Sequence, residues 1–595
     1  MIPVEPAAPC PPHGWYKDRA AWVLLLCALA FFFSGWIQLF PIPGWVDAGL
    51  YQGYALNFQN LVSRYGLKAT SYHGSRLSYV LVLYGSHLWA SPEIGQYLQL
   101  LFFYLLSVLS LLSLGYRQFG RGPALLGTAF LAFNPLFLSA LTFGGADGAA
   151  VAYVALSLAL LFTPSGFAGG RMSLLAAGAA CACACAAHPF AFPALVGLLA
   201  AYHLAAGVGW SGLGRYVYVG AGGLLALAVL GAIGTTLGLK FFFVKYSFQM
   251  TRMMAGGFGA SYFKPLSEWL YVNYRVLVPV VLGGSALALL LAPRPAPSRD
   301  RLLQAAVIAP LLPFTLYVWM NLSGLFPALQ ARFYFTPLLP SLVLCVFTLA
   351  REIAARRLLA QVLLLGLPAV LVGAGIVSAP NPGPEVARLV FWSLLGLGGV
   401  LVVLLFAARR TGRDRGSASL VTATLVLCAG CLAFSEDSLQ VYRARTGDDY
   451  KEVYEGASHL VQVLEDSQVG ASLPVFWFDR KSVNARDGLA STYYLRLNDK
   501  PLHLNYLDTL VSYYLWDPVM LATSLGAVDA TRLDRVAGRP IVFLGPDRSS
   551  CEEALARVRL LGHRVDLLFW LAHPAKRFAW VAAVFKVEAR AAAEP

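Results

Sequence analysis

Apolar runs of about 20 residues recur along this chain from Ala21 to about Phe434. A helix needs roughly that length to cross the hydrocarbon of a bilayer. In lipid every backbone N–H and C=O must find its partner inside the segment, so such runs fold as membrane helices. Composition agrees: the 595 residues are 58% hydrophobic and only 13% charged, where a soluble globular chain carries about 25% charged residues.

The formal charge is +14, from 45 Lys+Arg against 31 Asp+Glu. Most arginines fall in short connectors, as the bias of cytosolic loops toward positive charge requires. No basic stripe interleaved with aromatics marks a polar region, so no nucleic-acid partner is expected. Cys181, Cys183 and Cys185 in "ACACACAA" superficially resemble a metal tract. Alternate positions on a helix point in different directions, so small-residue packing between membrane helices accounts for them better. Cys428 and Cys431 also lie in an apolar run, and Cys551 stands apart in the polar C-terminal region, so no disulfide framework is implied there.

The arginines order the topology. Residues 1–20 form a polar, proline-rich tail with Lys17 and Arg19 beside the first apolar run. This places the N-terminus in the cytoplasm and makes the run (about 21–41) a retained first helix. Residues 42–94 read as a long first outer loop with interfacial helices, "LSYVLVLYGSHLWA" being short for a full crossing. Helices then follow over about 95–115, 122–142 and 149–163. The next pair turns outside at His188-Pro189, and a large outer loop covers 237–275. Inner connectors carry Arg117 and Arg121, Arg171, Arg215, "PRPAPSRDR", "REIAARR" and "ARRTGRDR". The sum is about thirteen spans, the last ending near 434, with the C-terminus outside. Alanine- and arginine-rich, lysine-poor connectors suggest a bacterial plasma (inner) membrane.

Residues 435–595 are polar and long enough for a core of their own. "LPVFWFD", "LHLNYL", "RPIVFLGP" and "FAWVAAVFKVE" read as strands and "SSCEEALARVRLLG" as a helix with a serine cap. The expected fold is therefore a polytopic α-helical membrane protein, residues 21–434, followed by a C-terminal soluble α/β domain outside the membrane.

Charged residues gather on the outer side of this topology. Asp47 follows helix 1, and Asp147 lies between helices 3 and 4. The 237–275 loop carries Lys240, Lys245, Arg252, Lys264 and Arg275, and "ARFYFTPLLP" brings Arg332 and Tyr334 to the start of helix 10. Two carboxylates are suited to orient or deprotonate an acceptor hydroxyl, and several cations to bind a phosphate and hold the charge it gains on departure. A lipid-phosphate-linked sugar meets both needs, with lipid in the bilayer and phosphate at the interface. Each residue also has a plainer reading. Asp47 and Asp147 would cap a helix or close a turn, Arg76 and Arg332 would anchor helix ends at headgroups, and His188 would be a helix-end residue.

The order of these segments resembles the GT-C superfamily of glycosyltransferases, in particular protein O-mannosyltransferases and the aminoarabinose transferase of lipid A. "VDAGLY" matches the acidic first-loop motif, "YHGSRLSYVLVLYGSHLWASPEIGQ" the stretch before helix 2, "NPLFLSALTFGGADGAAVAYVALSLALLF" the proline-to-Asp segment, and "ARFYFTPLLP" a later helix start, with Phe333 between Arg332 and Tyr334. The resemblance implies an inverting transfer from a polyprenyl-phosphate sugar to a lipid, glycan or protein acceptor. It implies Asp47 and Asp147 as catalytic carboxylates and Arg76, Lys264, Arg275, Arg332, Tyr334 and His188 as groups for the donor phosphate. Many relatives have an acidic pair where this chain has Asp47-Ala48. No cofactor is called for, and a divalent metal at the acidic loops stays open. A multi-span transporter or lipid-linked sugar flippase is the alternative, and a non-catalytic scaffold a third.

Overall fold

The computed structural model describes residues 15–33, 74–90, 92–142, 146–207, 212–245, 277–291, 300–323, 336–354, 475–478, 528–534, 536–574 and 579–588, with single positions at 51, 54 and 55 and between 456 and 469. Among the described residues, thirteen α-helices stand before residue 355: α1 (Arg19–Phe31), α2 (Leu77–His87), α3 (Pro92–Gln118), α4 (Arg121–Ala132), α5 (Pro135–Thr142), α6 (Asp147–Leu161), α7 (Pro164–Phe167), α8 (Arg171–Ala187), α9 (Ala191–Ala206), α10 (Gly214–Thr236), α11 (Leu277–Leu291), α12 (Asp300–Leu322) and α13 (Leu339–Ala354). Among the described residues, α3, α10 and α12 are each long and apolar enough to cross a membrane. The last spans expected from the sequence, between 355 and 434, lie outside the described residues, as does the boundary at 434.

Helix α6 is the axis of the bundle. Twelve of its 15 residues are buried, on every side, as expected of a helix apolar all round. Helix α13 is nearly as enclosed, from Leu339 to Ala350. Helix α10 lies at the periphery and exposes Val217, Leu224, Leu225 and Val229. These belong to a lipid-facing stripe. Where α8 meets α10, a Cβ on Gly178 would strike the Val219 carbonyl, and one on Gly222 the Leu175 carbonyl. The two backbones therefore touch, the close approach that small residues permit in membranes. Gly197 of α9 makes room in the same way for the Pro313 ring inside α12.

The segment expected as one helix over 122–142 is two. Residues before proline are pushed out of the helical region, and Asn134-Pro135 ends α4 here. The Asn134 side chain then accepts from the Leu136 and Phe137 N–H groups at 2.9 and 3.3 Å, capping α5. Helix α2, with 11 residues, is about 16 Å long and so spans roughly half of a 30 Å hydrocarbon core.

The bundle has two chemically different ends. Gln99 of α3 donates to the Tyr79 carbonyl at 3.1 Å near the start of α2. Gln118 lies about 28 Å further along the same helix. Around that far end Arg351 donates to the Gln118 carbonyl (3.2 Å), Arg121 pairs with Asp18 (2.7 Å), and Arg215 donates to the Phe167 carbonyl (2.8 Å). Asp18 also caps α1 through the Ala20 N–H (2.9 Å) and accepts from the Tyr116 hydroxyl (2.7 Å). One carboxylate thus ties α1, α3 and α4 together.

Near the C-terminus, β1 (Val475–Phe478), β2 (Pro540–Gly545), β3 (Val565–His573) and β4 (Trp580–Val587) form a sheet in the order β1-β2-β4-β3, with only the β1–β2 pair parallel. A short helix, α14 (Ala530–Asp534), precedes β2, and α15 (Arg548–Leu560) follows it. Cys551, Ala554, Leu555 and Val558 of α15 pack over Ile541, Phe543, Ala583 and Phe585. The cap of α15 is Asp547, which accepts from the Ser550 N–H at 2.8 Å, where the sequence suggested a serine.

Candidate active site

Three of the residues singled out in the sequence meet at the end of the bundle opposite the arginines. Asp147 is the first residue of α6, where the positive end of the helix dipole favours a carboxylate. His188 terminates α8; the proline that follows holds it in an extended conformation (φ −146°, ψ 114°). Its Nε2 lies 3.1 Å from Asp147 Oδ1, and the two side chains are 5% and 9% exposed. That contact places a proton on Nε2 and fixes the plane of the ring.

Arg76 stands immediately before α2 and is 5% exposed. Its Nη1 donates to the Ala187 carbonyl at 3.2 Å. That carbonyl ends α8 and has no partner within the helix, and a cation there also complements the dipole. The guanidinium lies 5.6 Å from the ring centroid of Tyr51, within cation–π range. Tyr51 in turn meets Tyr79 edge-on at 5.2 Å. The Tyr79 hydroxyl lies in the fields of both Asp147 and Arg76.

Hydrogen bonds hold the surrounding helices in register. The Ser78 hydroxyl of α2 donates to the Cys183 carbonyl of α8 at 2.7 Å, and the Tyr153 hydroxyl of α6 donates to the Ser78 carbonyl at 2.9 Å. On the other flank the Tyr317 hydroxyl of α12 donates to the Phe190 carbonyl at 2.6 Å. The ring of Phe190 packs 5.4 Å from that of His188. The result is a buried carboxylate, imidazole and guanidinium, each oriented by a different helix end. Such a set can accept a hydrogen bond from a hydroxyl and present positive charge to an anion.

Asp47, Lys264, Arg275, Arg332 and Tyr334 lie outside the described residues. Described chain flanking the segments that bear them reaches the same end in three places. Tyr51, four residues after Asp47, is the ring beside Arg76. The C-terminal turn of α10, which leads into the 237–275 loop, brings Gly234 against Leu77 at the start of α2. The turn at Thr336–Leu338 begins two residues after Tyr334 and packs on α5, α6 and α9. Tyr51, Tyr79 and Gln99 were not singled out in the sequence. The only signal was the cluster of aromatics after Asp47, which included Tyr51.

The described helices form a membrane-type bundle with these three residues at one end. The structure is similar to the crystal structure of ArnT from Cupriavidus metallidurans bound to undecaprenyl phosphate. The TM-score is 0.50, with 15% sequence identity over 95% of this chain and 98% of that chain. The apo state of the same enzyme gives a TM-score of 0.47, with 15% identity over 95% and 97%. At that identity the bound-state likeness establishes the fold. No family model matches the chain, and no curated protein sequence matches it.

Proposed function

We propose that this protein is an inverting glycosyltransferase that moves a sugar from a polyprenyl-phosphate donor to an acceptor at the outer face of a plasma membrane. The observation that carries the proposal is the buried Asp147–His188–Arg76 group. It sits at the end of the bundle toward which the segments bearing Asp47, the 237–275 cations and Arg332-Tyr334 also lead. The opposite end holds Arg121, Arg215 and Arg351, and the charge bias of cytosolic loops supports an outer location for the site. The fold supports the donor class, because the similar structure of ArnT holds undecaprenyl phosphate.

In this reading Asp47 accepts the proton of the acceptor hydroxyl while its oxygen attacks the anomeric carbon. The bond from that carbon to the phosphate oxygen breaks, and its electron pair leaves with the lipid phosphate. Attack from the side opposite the leaving group inverts the centre. Arg332 and Tyr334, with Lys264 and Arg275, hold the phosphate as its charge rises. Asp147, fixed by His188, orients the sugar, and Arg76 offsets the carboxylate's charge. A divalent metal at the acidic loops would be held through Asp47; among the described residues no three ligating groups converge. The acceptor is a lipid, a glycan or a protein.

The purified protein, given labelled polyprenyl-phosphate sugar and a membrane extract as acceptor source, releases lipid phosphate, and Asp47→Asn abolishes that release. Full release by Asp47→Asn refutes the mechanism. Passage of intact donor across proteoliposomes without release supports the flippase reading instead.

A further inference from the structure

Away from the site, the starts of α8 and α10 lie side by side at the arginine-rich end. Arg171 opens α8, and its guanidinium lies 5.6 Å from the Tyr218 ring centroid of α10. Arg215 is three residues before Tyr218, and so on the same face of α10's first turns. Its side chain runs beside Gly169, whose φ of +78° turns the chain into α8. Both arginines therefore belong to one patch.

No carboxylate is supplied to this patch by its own elements. The sequence has no Asp or Glu between Asp147 and Glu268, a stretch that contains α8, α9 and α10 entirely. The contrast with Arg121 is informative: it too opens a helix, and there Asp18 reaches it at 2.7 Å. Arg171 and Arg215 also occupy first turns, where the helix dipole disfavours a cation. An anion at the patch offsets both charges. Directly beyond the patch α10 exposes Leu225 (63%) and Val229 (50%), seven and eleven positions past Tyr218 and so on its face, and Met172 beside Arg171 is 78% exposed. Positive charge at the membrane edge thus continues into an apolar stripe along the bilayer. A molecule that matches both has a phosphate at one end and acyl chains at the other.

We infer that Arg171, Arg215 and Tyr218 with the exposed stripe of α10 form a binding site for an anionic phospholipid, distinct from the donor site at the opposite end. The phosphate lies between the two guanidiniums, and the acyl chains follow Leu225 and Val229. Electrostatic attraction of surface arginines to anionic lipid predicts about a five-fold loss of affinity for each arginine removed and about a thirty-fold loss for both.

The test is native mass spectrometry of the full-length protein in mild detergent, titrated with phosphatidylglycerol, phosphatidylcholine or inorganic phosphate. Wild-type protein retains phosphatidylglycerol in preference to phosphatidylcholine at matched concentration, and the Arg171→Gln/Arg215→Gln variant loses the preference. Because Arg215 also holds the Phe167 carbonyl, the single variant Arg171→Gln, which leaves that bond intact, is read beside it and loses about five-fold. Equal retention of both lipids by the wild type, unchanged preference in Arg171→Gln, or full competition by millimolar inorganic phosphate overturns the inference. None of these results bears on sugar transfer.

Discussion

Removing both charges at Arg76 and Asp147 should cost no more than removing either one. Arg76 is 5% and Asp147 6% exposed, so neither is in water. They are linked through consecutive residues, since Arg76 holds the Ala187 carbonyl and Asp147 the His188 ring. Taking one partner from a buried charged set leaves the other uncompensated, at about 3–5 kcal/mol. Arg76→Met and Asp147→Asn alone should each lose that much. The double variant buries no lone charge and should lose about as much as one single variant, a coupling of about 3 kcal/mol. The measurement is the folded fraction against sodium dodecyl sulfate mole fraction in mixed micelles, followed by circular dichroism for the wild type and three variants. Losses that add within about 0.5 kcal/mol would show the two charges to be independent, and the description of one shared site would fail.

Three further perturbations follow from the packing. His188→Gln can still donate to Asp147 and should cost little, whereas His188→Leu removes the donor and should lose about 1–3 kcal/mol in the same titration. Gly222→Leu drives a side chain into the Leu175 carbonyl of α8, so monodisperse protein should not be recovered on size exclusion, while Gly220→Ala, whose Cβ would meet open space, should behave as wild type. The Tyr116 hydroxyl, then the Ala20 N–H and Arg121, hold the Asp18 carboxyl below its ordinary value of 3.8. Its stabilisation is therefore complete above that value and lost as pH falls through the lowered one. Wild type should melt above Asp18→Asn at neutral pH, and the gap should close in acid; a gap constant down to pH 3 would contradict the clamp.

The sequence made individual groups visible and hid how they pair. Arg76, Asp147 and His188 each stood out as polar residues at the ends of apolar runs. They are 71 and 41 residues apart along the chain, and neither helical period nor charge count encodes contact at that range. Tyr51 went unremarked as a partner because its role depends on where Arg76 lies. The helix break at Asn134-Pro135 was readable from proline's effect on the residue before it, but the apolar run continues through it and masked the signal. Strand β3 was missed for a similar reason: a register shift between Leu567 and Phe569 interrupts the period of two that marks a strand. The positive connectors fared best, because Arg121, Arg215 and Arg351 gather at one end, as a rule based on charge alone requires.

The enclosure of α6 limits how this machine can work. A rod walled in on every side has no room to slide or rock without disturbing all its neighbours, so the carboxylate at its tip is a stationary landmark. In the proposed reaction, travel then falls to the peripheral segments and to the lipid-borne donor, which comes to the acid.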